Sequence, residues 1–126
     1  MFALLSLALA TDVPIDPAPV APPTLDGRVY SVSVEDPTQG AKPETFVFAE
    51  GTFDARESHQ FGFARGPYTV TAREDVLVFT ATLKRPTDGE ITCTGSISGD
   101  QISGAAEWRR PGKNRVHYAY QGAVRK

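Results

Sequence analysis

Cysteine occurs once in these 126 residues, at Cys93, so no internal disulfide can brace the chain and its core must hold by packing alone. Methionine is confined to Met1, tryptophan to Trp108, and histidine to His59 and His117. Two histidines are too few for a catalytic or structural zinc centre without carboxylate help, and no metal or other cofactor is expected. An excess of charge is lacking as well. Thirteen Lys and Arg stand against 15 Asp and Glu, a formal net charge of -2, which excludes bulk electrostatic attraction to nucleic acid or to a membrane surface. No apolar run approaches the about 20 residues a membrane-spanning helix needs.

Glycine and proline are plentiful, at 11 and 10 residues, and serine and threonine are frequent. That favours strands joined by turns over helices. The first ten residues, MFALLSLALA, form an apolar run ending in Ala8-Leu9-Ala10, which offers a signal peptidase small residues at both critical positions. The expectation is export to the periplasm or the extracellular space, with cleavage after Ala10. Residues 11–24 carry Pro14, Pro17, Pro19, Pro22 and Pro23, which remove amide donors and favour an extended linker. The folded domain is expected over residues 25–126.

From Asp26-Gly27 onward the apolar period is two. Tyr30, Val32 and Val34 alternate with polar residues, as do Phe46 and Phe48, then Phe53 and Ala55, then Tyr68, Val70 and Ala72. Leu77, Phe79, Ala81 and Leu83 follow the same rule, and so do Ile91, Cys93, Gly95 and Ile97. Ile102, Gly104, Ala106 and Trp108 make a seventh strand, and Val116, Tyr118, Tyr120, Gly122 and Val124 an eighth. No segment has helical spacing.

Glu50-Gly51, Glu74-Asp75 and Gly99-Asp100 are two-residue turn signals that pair strands adjacent in sequence. The pattern therefore predicts an all-β fold, an eight-stranded antiparallel up-and-down barrel whose closure removes both sheet edges, with a two-sheet β-sandwich as the alternative. Gly95, Gly104 and Gly122 on the inward face fit such closure, because glycine lets a strand bend at a barrel corner. Abundant aromatic residues on that face predict a filled interior.

In an up-and-down barrel, alternate connections share a rim. The longer ones, residues 36–43, 59–67, 85–89 and 110–114, fall at one end and the three tight turns at the other. Arg65, Lys84, Arg85, Arg109, Arg110, Lys113 and Arg115 lie in or beside the longer loops, whereas Glu50, Glu74, Asp75 and Asp100 belong to the tight turns. The basic rim is a candidate site for an anionic partner, or a solvated tip that discourages edge aggregation. Phe61 and Phe63 either line the mouth of that rim or plug it. Tyr30, Tyr68, Tyr118 and Tyr120 point inward and need partners for their hydroxyls. Cys93, between Ile91 and Ile97, reads as a buried inert thiol.

No catalytic reaction is identified. Asp54, Ser58 and His59 have the residue types of a hydrolase triad, but a nucleophile next to its base on a strand points to the opposite face. Glu57 and His59 would share a face only if the third strand continued through them. The expected function is a non-enzymatic binding module, for a small apolar ligand inside the barrel or an anionic partner at the rim. The alternative is a structural or inhibitory surface protein with a solid core.

In strand count and meander order, the chain from Asp26 to Lys126 resembles the calycin architecture, the barrels of lipocalins and avidins that hold one small ligand. Gly27-Arg28-Val29-Tyr30 lacks the tryptophan of the lipocalin Gly-x-Trp, and Trp108 stands where an avidin would have several tryptophans, so no family binding residue carries over. The chain is also similar to small secreted bacterial proteins of unknown function. The shared landmarks are Phe46-x-Phe48, Gly51-x-Phe53, Gly62-Phe63, Tyr68, Gly95-x-Ile97-x-Gly99, Gly104, Trp108 and Tyr120-x-Gly122. That resemblance implies a cysteine shortly after the third strand, where this chain has Ser58-His59-Gln60.

Overall fold

The computed structural model describes residues 23–87 and 89–125. The expected leader and most of the proline tract, residues 1–22, lie outside them. Among the described residues eight strands follow one another: β1 Val29–Asp36, β2 Gly40–Ala49, β3 Thr52–Ala55, β4 Gly66–Arg73, β5 Val76–Lys84, β6 Glu90–Ser98, β7 Gln101–Arg109 and β8 Val116–Val124. Each pairs antiparallel with the next, and β1 pairs with β8, so the sheet is a closed barrel rather than a two-sheet sandwich.

The alternation read from the sequence sets the inner face. Tyr30, Val32, Phe46, Phe48, Phe53, Phe79, Ala81, Leu83, Cys93, Ile97, Ile102 and Tyr120 are all buried. At the tight turn between β2 and β3, Glu50 and Gly51 both have positive φ, 54° and 74°. Two left-handed residues give the mirror-image turn that matches strand twist, at some backbone cost for Glu50.

Glycines inside the barrel answer to close packing. Gly95 and Gly104 face each other across β6 and β7. A Cβ on Gly104 would meet the Thr94 carbonyl oxygen and, at 2.7 Å, the Tyr120 hydroxyl, which itself donates to Thr94 O at 2.7 Å. The glycine pair is thus a notch for one tyrosine.

Two local features depart from the sequence reading. Residues 36–43 are not a long loop. The Asp36 carboxylate accepts the Thr38 amide (2.8 Å) and hydroxyl (2.8 Å) and the Gln39 amide (3.2 Å), which closes a tight turn so that β2 starts at Gly40. Pro43 is tolerated inside β2 because its ring nitrogen faces the β3 side. The amide of Thr45, two residues on, points to that side, and β3 has ended by then, its last pair being Phe46↔Ala55.

The second departure is a 3₁₀ helix over Arg56–Phe61, where no helical segment was expected. Six residues are too few for an apolar period to show. The turn exists because β3 stops, and the Glu57 carboxylate caps the Thr45 amide (2.7 Å) that a longer strand would have met. Gly62, at φ 91°, ends the turn, and the chain returns to the sheet through an Ala64↔Lys84 bridge.

Candidate functional site

The two halves of the barrel are packed differently. Toward the tight turns, Phe48 meets Tyr30, Phe53, Tyr68 and Phe79, with ring centroids 5.1–5.9 Å apart and edge-on or tilted geometry. Leu25, fully buried, closes this end. It is held because the Tyr68 hydroxyl accepts the Leu25 amide (2.9 Å) and donates to Asp26 (2.8 Å), while the Gly27 amide donates to Phe48 O (2.7 Å).

Toward the other end the barrel is hollow. A cavity of about 400 Å³ opens among residues that include Val34, Phe46, Leu83, Ile91, Ala106 and Trp108. The filled interior expected from aromatic content therefore holds for one half only. All but one of the seven phenylalanines fall on β2, β3, β5 or the loop before β4, while at the hollow end β6 and β7 contribute the smaller Cys93 and Ala106 beside Trp108, and β8 contributes Tyr118 and Tyr120. The phenylalanine rings are therefore concentrated on one side of the barrel.

Phe63 and Phe61 part company at the mouth. Phe63 is buried and meets Trp108 edge-on at 6.1 Å, so it plugs part of the opening, whereas Phe61 is 58% exposed and lines the entrance. Arg110 stacks over Trp108 at 4.2 Å, and Arg85 sits over both Trp108 (5.1 Å) and Phe63 (5.2 Å). These two cations brace an aromatic wall through the ring quadrupole. Arg85 also donates to Phe61 O at 3.2 Å, tying the 3₁₀ turn to that wall.

The basic rim is less basic than the loops alone suggested. Arg109 pairs with Glu90 and approaches Glu107 at 3.6 Å, and Arg115 approaches Glu107 at 3.6 Å. Antiparallel register explains this, since Glu90↔Arg109 are opposite across β6 and β7 while Glu107 sits beside His117 on β8. Arg65, Lys84 and Lys113 are exposed and make no ion pair among the described residues.

Sequence reasoning missed Glu44. It has the parity of Phe46 and Phe48 and so turns inward, but Pro43 made the strand look as if it began one residue later. Its carboxyl accepts the Glu57 amide (2.9 Å) and the Ser58 hydroxyl (3.3 Å), and it lines the cavity. Burial first, and the neighbouring Glu57 charge second, push its acid up to about 7. Glu57 goes the other way: burial works to raise it, but the Thr45 amide and hydroxyl (3.1 Å) outweigh that and hold it below the ordinary carboxylate range. Cys93, buried on β6 across the cavity, has its thiol pushed up to about 12 by burial and by the Glu44 charge, which leaves it unreactive near neutrality.

The residue types of a triad are present but not joined. His59 Nε2 lies 2.6 Å from Asp54 Oδ1, while the Ser58 hydroxyl donates to Glu44. Glu57 caps Thr45 and does not meet His59. Among the described residues no group of three or more His, Cys, Asp or Glu is placed to hold a metal ion, and no helix is long and apolar enough to cross a membrane. Comparison with protein-family models, with curated proteins and with solved structures gives no match.

Proposed function

We propose that this protein is an exported, non-enzymatic binding module that holds one small apolar ligand in the hollow half of its barrel, a calycin-like arrangement. The cavity carries this reading. Its volume suits a small molecule, its walls are chiefly apolar with a few convergent polar groups, and it opens at one barrel mouth. The braced wall of Trp108, Phe63, Arg85 and Arg110 holds that mouth in shape before any ligand arrives, which lowers the ordering cost of binding. Export rests on Met1–Ala10, which lies outside the described residues.

The test is titration with an uncharged naphthylamine dye, followed by displacement with dodecanol. Saturable binding of one dye per chain is expected, together with loss of binding in Ala106→Phe, whose ring would occupy the cavity while the barrel stays folded by circular dichroism. Absence of saturable binding to the wild type would overturn the reading.

A second reading, recognition of an anionic partner at the rim, is supported by Arg65, Lys84 and Lys113, which are exposed and make no ion pair among the described residues. It predicts salt-sensitive binding to anionic polymer that Lys113→Glu weakens, because exposed charges are screened over about 8 Å at physiological ionic strength. The structural or inhibitory alternative with a solid core draws support from the tight-turn half alone.

A further inference from the structure

Four of the described acidic groups around the open end have partners beside them. Asp54 has His59 at 2.6 Å, Glu90 has Arg109, and Glu107 has Arg109 and Arg115. Asp36 is satisfied by the donors of its own turn. Glu35, Glu44 and Glu57 make no ion pair among the described residues; Glu35 is exposed, whereas Glu44 and Glu57 adjoin one another.

They differ in where they face. Glu57 spends both oxygens on Thr45, at the outside of the wall. Glu44 lines the cavity with Phe46, Ala55 and Cys93 and receives two donors, whereas a carboxylate offers about four lone-pair sites. Among the described residues no cation is placed to complete it. Lys42, the other charged inward residue of β2, is bonded to Gln39 at the mouth, and Arg85 and Arg110 lie on the Trp108 face. An acid set into an apolar wall with acceptor capacity unused is costly, and it is best relieved by a partner that brings both donors and positive charge.

We propose that the cavity takes an apolar molecule bearing a basic nitrogen, an alkyl or arylalkyl ammonium, whose N–H groups meet Glu44 while its hydrocarbon part lies against Leu83, Ile91 and Ala106. This rests on the cavity being a ligand site and adds the chemical class of the ligand. The Glu44–ammonium contact is a charge-assisted hydrogen bond in a partly dry setting, which is stronger than a neutral one.

Affinity also depends on pH. The titratable groups around Glu44 are Lys42 on its own strand, Glu57 from the 3₁₀ turn, Asp36 from β1, Cys93 from β6 and Tyr118 and Tyr120 from β8. Burial raises the Cys93 thiol and the Tyr118 and Tyr120 phenols, and Asp36 and Glu57 are held low, so none of these five changes charge near neutrality. Glu44 does, and ammonium binding therefore weakens as pH falls through about 7.

The experiment is calorimetric titration of the full chain with dodecylammonium, dodecanol and dodecanoate at pH 8 and pH 6. Dodecylammonium is expected to bind about ten-fold or more tightly than dodecanol at pH 8, the margin a charge-assisted contact supplies, with a smaller margin at pH 6. Glu44→Gln should lose the preference, binding dodecylammonium no more tightly than dodecanol at either pH. Equal binding of dodecylammonium and dodecanol, or preference for dodecanoate, would overturn the ammonium inference and leave the cavity reading standing. If none of the three binds, the cavity reading itself fails.

Discussion

One end of this barrel is a packed aromatic cluster and the other is an open apolar cavity, although the same strands run through both. The difference comes from what each end does with its strand termini. At the tight-turn end, Leu25 and the Tyr68–Asp26 hydrogen bond draw the incoming chain across the opening. At the other end β3 stops at Ala55, and a 3₁₀ turn with no buried residue stands in for the missing strand. Packing is thereby concentrated in one half, the proposed binding falls to the other, and substitutions can show how far that division holds.

The largest effect should come from the centre of the packed half. Phe48→Ala removes the ring that meets Tyr30, Phe53, Tyr68 and Phe79, and should cost about 3–5 kcal/mol in urea unfolding. Phe61→Ala, at the exposed mouth, should stay within about 0.5 kcal/mol of the wild type. Comparable losses from the two would abolish the distinction between the halves.

Gly104→Ala comes next. Its methyl group would press on the Thr94 carbonyl and the Tyr120 hydroxyl, an overpacking expected to cost about 1–3 kcal/mol, with disturbance of the tyrosine near-ultraviolet signal. A neutral result would mean that β6 and β7 separate more easily than their close approach implies.

A smaller effect should appear in pH dependence. The folded-state acid of Glu44 is raised to about 7 from an ordinary value of 4.5, so between these values the folded chain binds more protons than the unfolded one. Its contribution to stability is therefore lost as pH rises from about 4.5 to 7, the opposite of a carboxylate held low. Denaturation midpoints across that range should decline less in Glu44→Gln than in the wild type. Identical pH profiles would place Glu44 in water rather than in the cavity wall.

The smallest effect belongs to the rim. Lys113→Glu should change stability by less than about 0.5 kcal/mol, because an exposed lysine that makes no ion pair among the described residues has little to lose. A larger change in thermal melting would mean that the rim contributes to the fold.

Strand identity, meander order and the inward residues were legible because they depend on period-two alternation and two-residue turns, which are local properties of the chain. Glu44 and the 3₁₀ turn were not. Proline at 43 reads as a break unless it is known which side its nitrogen faces, and that side is defined only by where the neighbouring strand ends. The charge balance of the rim was obscured for a related reason: Glu90 and Glu107 neutralise Arg109 and Arg115 across strands, and register is a property of the sheet.

By itself, then, the amino-acid order determined that this is an all-β chain with one apolar face, hairpin neighbours and a lone buried thiol, since alternation and turn chemistry act over a few residues. Alternation and tight turns also pointed to a closed barrel over a sandwich, and the β1–β8 pairing bears this out; tertiary structure alone decided that β3 is cut short and that one half fills while the other stays hollow. These outcomes depend on which side chains meet across the interior, and residues far apart in sequence meet there only after the sheet has curled shut.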